Sequence, residues 1–288
     1  MKKILFSGCA TALITPFKGG KIDYQALEAL IEAQIAAGIG ALVIGGTTGE
    51  AATLSDRERY TLFEFAQERV RKRVPLIFGT GTNDTRVAIA HTRAAERIGC
   101  DGALVVTPYY NKGTEEGVYR HYMAIAEASE LPIILYNVPS RTGVNLGMGL
   151  LRRLSESEKI VGIKEASDSA DRLTALSALG DALPLYAGND SQLYTALALG
   201  GKGVISVVSN LYPEKMTAIY KAFVSGNLEA ARYAQLELLP LISALFTETN
   251  PAPVKYAASL LGICEGDVRL PLFEVRESTK NMIKELIL

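Results

Sequence analysis

Over most of the chain, short runs of consecutive apolar residues alternate with longer stretches in which apolar residues recur every three or four positions. The first kind reads as a strand buried on both faces, the second as an amphipathic helix. Residues 10–17 predict a first strand. Asp23 then caps a predicted helix to about residue 37, with Leu27, Leu30, Ile31 and Ile35 on one face and Gly38 as its stop. Residues 41–44 predict a second strand that runs into Gly45-Gly46-Thr47-Thr48-Gly49-Glu50, and Ser55 with Glu58 has the spacing of a capping box for a helix to about residue 72. Further strands are predicted at 74–78, 102–106, 133–136, 160–164, 183–187 and 204–207. Helices are predicted at 84–97, 115–128, 146–154, 171–178, 191–199 and 213–223.

That makes eight strands, each followed by a helix. Short apolar strands separated by amphipathic helices demand a parallel sheet covered by helices. Eight units favour an α/β fold closed into a (β/α)8 TIM barrel, with a doubly wound sheet as the alternative. From about residue 227 the strands cease, and 228–246, 253–261 and 272–288 predict helices alone. The expected organisation is therefore a catalytic barrel over residues 1–224 and a small C-terminal helical extension over 225–288.

Composition narrows the classes. The 288 residues include 30 Lys and Arg against 31 Asp and Glu, a net charge of -1, which is not the basic balance of a nucleic-acid binder. Cys9, Cys100 and Cys264 are too far apart for a metal or redox motif, so a reduced compartment is expected. The N-terminal Met1-Lys2-Lys3-Ile4-Leu5-Phe6-Ser7-Gly8-Cys9 superficially resembles a lipoprotein signal, but its apolar centre is far shorter than a secretory segment. No apolar run has membrane-spanning length, and a cytoplasmic location is expected.

In such a barrel the C-terminal ends of the strands build the active site. Those positions hold Thr47, Thr48, Asn83, Tyr109, Tyr110, Tyr136, Arg141, Lys164, the segment Gly188-Asn189-Asp190, and Ile205-Ser206. Lys164 ends the apolar run Ile160-Val161-Gly162-Ile163. Burial disfavours its ammonium form, so it must find an anion or serve as a nucleophilic amine, unless it passes the strand end and pairs with Glu165 in solvent. An amine that condenses with a ketone yields an imine, an electron sink that acidifies the neighbouring carbon, and hydroxyls of tyrosine and threonine can carry the protons. Both histidines, His91 and His121, fall in mid-helix, which argues against a metal aldolase or a histidine-based hydrolase.

Five segments carry a more specific signal: Gly46-Thr47-Thr48-Gly49-Glu50, Thr107-Pro108-Tyr109-Tyr110-Asn111, Tyr136-Asn137-Val138-Pro139-Ser140-Arg141-Thr142-Gly143, Gly162-Ile163-Lys164-Glu165-Ala166 and Asn250-Pro251-Ala252-Pro253-Val254-Lys255. In that order they resemble the pyruvate-dependent, Schiff-base-forming aldolase superfamily, and within it the dihydrodipicolinate synthases, over essentially the whole chain. The resemblance implies an imine between Lys164 and pyruvate, and a proton relay of Tyr136, Thr47 and Tyr110, with Tyr110 donated across a subunit interface. It implies that Thr48 holds the pyruvate carboxylate, that Arg141 holds the carboxylate of L-aspartate-4-semialdehyde, and that Gly188 and Ile205 line the pocket with backbone groups. It also implies a homo-oligomer, usually a homotetramer, no metal and no organic cofactor, and a role in lysine and diaminopimelate biosynthesis.

Within the superfamily the alternative is an N-acetylneuraminate lyase or a 2-keto-3-deoxy sugar acid aldolase. Those usually carry Ser-Thr in place of Thr47-Thr48 and lack an arginine at position 141. A non-catalytic barrel that binds a small acid is the reading from another class. Lysine-inhibited members of the resembled family bind the end product at an interface site through a glutamate and histidines. The matching positions here are Val87, Asp56 and Arg59, with Ala51 where a serine is common, while Asn83 and Tyr109 are kept. Weak or absent feedback by lysine is the expectation.

Overall fold

The computed structural model describes residues 2–288. Eight parallel strands close into one barrel: β1 Gly8–Ala12, β2 Ala41–Ile44, β3 Leu76–Gly79, β4 Gly102–Val106, β5 Ile133–Asn137, β6 Ile160–Glu165, β7 Leu185–Ala187 and β8 Gly203–Ser206. Pairing of Gly8 with Gly203 and of Thr11 with Ser206 completes the ring. Helices α1 Tyr24–Ala36, α2 Asp56–Val70, α3 Thr85–Ile98, α4 Glu115–Glu127, α5 Met148–Ser155, α6 Ala170–Ser177, α7 Leu193–Ala198 and α8 Pro213–Val224 alternate with the strands. Three more, α9 Leu228–Leu245, α10 Ala252–Leu260 and α11 Glu277–Ile287, follow the last strand. Among the described residues no helix is long and apolar enough to cross a membrane.

Alternation along each strand divides the core in two. Ala10, Ala12, Val43, Ile77, Leu104, Ile134 and Ile205 fill the lumen, while Leu42, Ile44, Phe78, Val105, Leu135 and Val204 pack outward under the helices. Tyr186 closes the lumen floor, its ring stacked 4.4 Å from that of Phe6 and its hydroxyl donating to the Phe6 carbonyl at 2.9 Å. Asp23 and the Ser55–Glu58 capping box open α1 and α2 as their sequence predicts.

Four local features depart from expectation. The first strand stops at Ala12, and Phe17–Lys18 instead pairs antiparallel with Lys21–Ile22 around Gly19 and Gly20, both at positive φ. Residues 139–142, between the predicted strand 133–136 and the predicted helix 146–154, form a single helical turn. The last helix begins at Glu277 rather than near 272, because the preceding segment is tied to the barrel. There the Arg269 amide donates to Glu50 at 2.9 Å and its guanidinium to Glu58 at 2.5 Å.

The fourth departure lies in β6. Ile133 pairs with Ile160, but Ile134 pairs with Gly162, so β6 carries one extra residue. That bulge resets the alternation: Ile160 and Ile163 face the helices, whereas Val161 faces the lumen and Lys164 enters it. A regular strand would have placed Lys164 on the same face as Ile160.

Candidate active site

Lys164 and Tyr136 occupy the same rung of neighbouring strands and both point inward. The Lys164 amine lies 4.4 Å from the centre of the Tyr136 ring, and the residue is only 5% exposed. Solvent pairing with Glu165 is excluded, because Glu165 points to the opposite face of β6. It is fully buried there and bound to Arg172 at 3.2 Å.

The loop after β2 brings Thr47 and Thr48 to the same mouth. Gly45 permits its turn: φ is +64°, and a Cβ there would meet the Phe63 ring at 2.7 Å. The Thr48 hydroxyl accepts from the Asn250 side-chain amide at 3.0 Å, and the Asn250 carbonyl accepts from Arg141 at 2.9 Å. Asn250 therefore ties the threonine loop to the arginine. At the end of β7, Gly188 closes against Ala166, whose Cβ would stand 2.5 Å from any side chain added there. Asp190 follows, fully buried, accepting from the Val207 amide at 3.0 Å. Burial pushes its carboxyl above the usual range, against the pull of those hydrogen bonds and of the Lys164 charge.

These groups surround one open cavity of about 760 Å³ that includes Thr47, Thr48, Tyr136, Arg141, Lys164 and Gly188. Lys164 is its one amine among the described residues. The cavity thus combines a shielded lysine, several hydroxyls and an arginine, which suits imine chemistry on a small keto acid. Two of the residues to which the family resemblance gave a role are not gathered with them. Tyr110 stands 88% exposed at φ +73°, away from the cavity of its own chain. Ile205 is wholly buried in the lumen, and Val207 lines the cavity instead.

Residues that sequence reading passed over complete the wall. Ile242, Phe246, Thr247 and Asn250 come from the C-terminal extension, so that segment is part of the site and not only a support. Asn250 lay in a quoted motif, but nothing local signalled its contact with Thr48, 202 positions away in sequence.

A second cavity of about 440 Å³ adjoins the first and shares Thr47, Tyr136 and Arg141 with it. It reaches Ala51, Arg59, Val87, His91 and Tyr109, whereas Asn83 is engaged through its carbonyl with Asn111 at 3.0 Å. The Arg59 guanidinium donates to the carbonyl of Ala51 at 2.7 Å. His91, set aside as a mid-helix residue, lines this cavity from α3 and shares a 3.0 Å hydrogen bond with the Tyr60 hydroxyl. Burial, with Arg59 nearby, pushes its imidazole down, so it is neutral at pH 7.

Comparison with known proteins shows the family to which the chain belongs. The model of the dihydrodipicolinate synthetase family matches residues 5–288. The 4-hydroxy-tetrahydrodipicolinate synthase of Geotalea daltonii is 48% identical over 280 residues, spanning 97% of each chain. That of Syntrophus aciditrophicus is 47% identical over 284 residues, spanning 98% of each. The crystal structure of the dihydrodipicolinate synthase from Thermotoga maritima superposes with a TM-score of 0.96 at 42% identity over 98% of both chains. With a family match over nearly its full length and relatives this similar, the chain belongs to the dihydrodipicolinate synthetase family.

Proposed function

We propose that this protein condenses pyruvate with L-aspartate-4-semialdehyde to 4-hydroxy-tetrahydrodipicolinate, through an imine on Lys164, in cytoplasmic lysine and diaminopimelate biosynthesis. The observation that carries the proposal is one lysine, turned into the barrel beside Tyr136, with Arg141 on the same cavity.

The Lys164 amine attacks the keto carbon of pyruvate, and loss of water leaves the iminium. The iminium withdraws electrons, so the pyruvate methyl group gives up a proton and becomes an enamine. Tyr136, Thr47 and a Tyr110 supplied by a second copy carry that proton. The enamine carbon attacks the aldehyde carbon, whose oxygen takes up a proton as the carbon–carbon bond forms. The amine of the added fragment then attacks the imine carbon, closes the ring and frees Lys164. The imine is the electron sink, so the cycle as proposed calls on no cofactor.

Thr48 holds the carboxylate of pyruvate, and Arg141 holds that of the aldehyde by charge-assisted hydrogen bonds. Backbone groups of Gly188 complete the floor beside Val207. The exposure of Tyr110 supports an assembly, proposed as a homotetramer, in which that ring enters a neighbour's site. Residues 225–288 act as a helical extension that closes one wall of the cavity over a barrel of residues 1–224.

Borohydride reduction in the presence of pyruvate tests the reading. A stable adduct on Lys164, located by peptide mass mapping, is the expected result. An adduct on a different side chain, or none, overturns it.

A further inference from the structure

Directly behind the inward pair Tyr136 and Lys164, the next rung of the same two strands pairs Asn137 with Glu165, and both of these point outward. They are completely buried. The Asn137 amide nitrogen lies 2.9 Å from each Glu165 carboxylate oxygen. Glu165 also accepts from the Ser167 amide at 3.1 Å and from Arg172 at 3.2 Å. Asn137 accepts in turn from the Leu146 amide at 3.1 Å, and Arg172 donates to the Leu146 carbonyl at 2.6 Å.

We propose that Asn137 and Glu165 form a crossbar on the outer face of the barrel that positions the Lys164 amine against Tyr136 on the inner face. The proposal rests on the imine reading above.

Two facts separate this crossbar from ordinary core polarity. It is the last registered rung of the β5–β6 pair. Whatever sets the separation and twist of the strands there sets the placement of the two side chains one residue earlier. In addition, β6 contains the bulge that turns Lys164 inward. A strand with one extra residue could pair in a register shifted by one, and such a slip would move the lysine to the outer face. A carboxylate that meets both a specific amide and a specific guanidinium fits one register only. Burying an ion pair such as Glu165–Arg172 adds little net stability over apolar residues of similar volume, so specificity of pairing is the gain this arrangement offers.

The test uses the full-length protein and two separate variants, Glu165→Gln and Asn137→Ser, so that one remains informative if the other fails to fold. In a folded variant, kcat and the rate of borohydride trapping with pyruvate should fall about 10- to 100-fold while the pyruvate KM stays within about twofold, the split expected of a misplaced amine. The unfolding temperature checks that the loss is not one of folding. Folded variants with wild-type kcat and trapping rate would overturn the crossbar, and so would failure of both variants to fold, which would make it a stability element. If wild-type protein is trapped at Lys164 and the variants behave normally, the crossbar alone falls. If wild-type protein is never trapped there, the imine reading falls and the crossbar with it.

Discussion

The Lys164 amine rests over the face of the Tyr136 ring, 4.4 Å from its centre, with the two residues level on adjacent parallel strands. Both residues line the cavity. A cation so placed is attracted by the ring face, while the neutral amine is shielded from bulk water. The same contact sets a residue with a phenol hydroxyl beside the amine, where the proposed imine chemistry needs a proton carrier.

That arrangement makes Tyr136→Phe the informative change. The phenyl ring preserves the packing, so folding and borohydride trapping should persist, while kcat falls about 10²- to 10⁴-fold through loss of the proton-carrying hydroxyl. Steady-state kinetics beside a trapping assay would measure both. Wild-type turnover in this variant would remove Tyr136 from the relay.

Arg141 is exposed at the cavity rim and held through the Asn250 carbonyl. For Arg141→Ala the KM for the aldehyde should rise about 10- to 100-fold, the loss expected from a charge-assisted pair, with pyruvate trapping unchanged. Equal loss in both assays would show instead that the arginine braces the Asn250 loop.

The second cavity predicts the response to L-lysine. Its wall presents the Arg59 cation, and Val87 where an incoming ammonium would need a carboxylate. Turnover should not reach half-inhibition below about 1 mM L-lysine, a binding energy near 4 kcal/mol. Titration of the amino acid into the assay checks this, and half-inhibition well below that concentration would mean that the ammonium finds another anion.

His121 predicts a pH dependence of stability. It is buried in α4 with Thr85 as its hydrogen-bond partner at 2.9 Å, and burial pushes its imidazole from an ordinary 6.5 down to about 4. The folded protein therefore holds His121 neutral where the unfolded chain would protonate it. This contribution is intact above pH 6.5 and is lost as pH falls toward 4, to an extent on the order of 3 kcal/mol. Urea unfolding at pH 7 and pH 4.5 should show the loss, and His121→Gln should flatten that part of the profile.

Sequence periodicity reached far into this fold. The second and fourth strands fall where their apolar runs begin and end, and Ser55 with Glu58 marked the start of α2, because these signals depend on neighbours within a few residues. Leu13 to Pro16 misled the reading of the first strand, since an apolar run does not show where the barrel stops and a hairpin begins. The Gly19-Gly20 turn was the missed cue.

For the site, the chain order supplied the residue types: a lysine closing an apolar strand, threonines after glycines, and an arginine after proline. It could not show which way Lys164 points, because strand parity places that lysine with Ile160 and the bulge that reverses it is visible only as a register shift against β5. Nor could it pair Asn250 with Thr48, or seat Glu165 behind Lys164 on Asn137 and Arg172. Local periodicity and residue order determined most of the elements and the residue types on offer. Closure of the barrel decided which groups meet, because contacts across hundreds of residues exist only once every strand has taken its register.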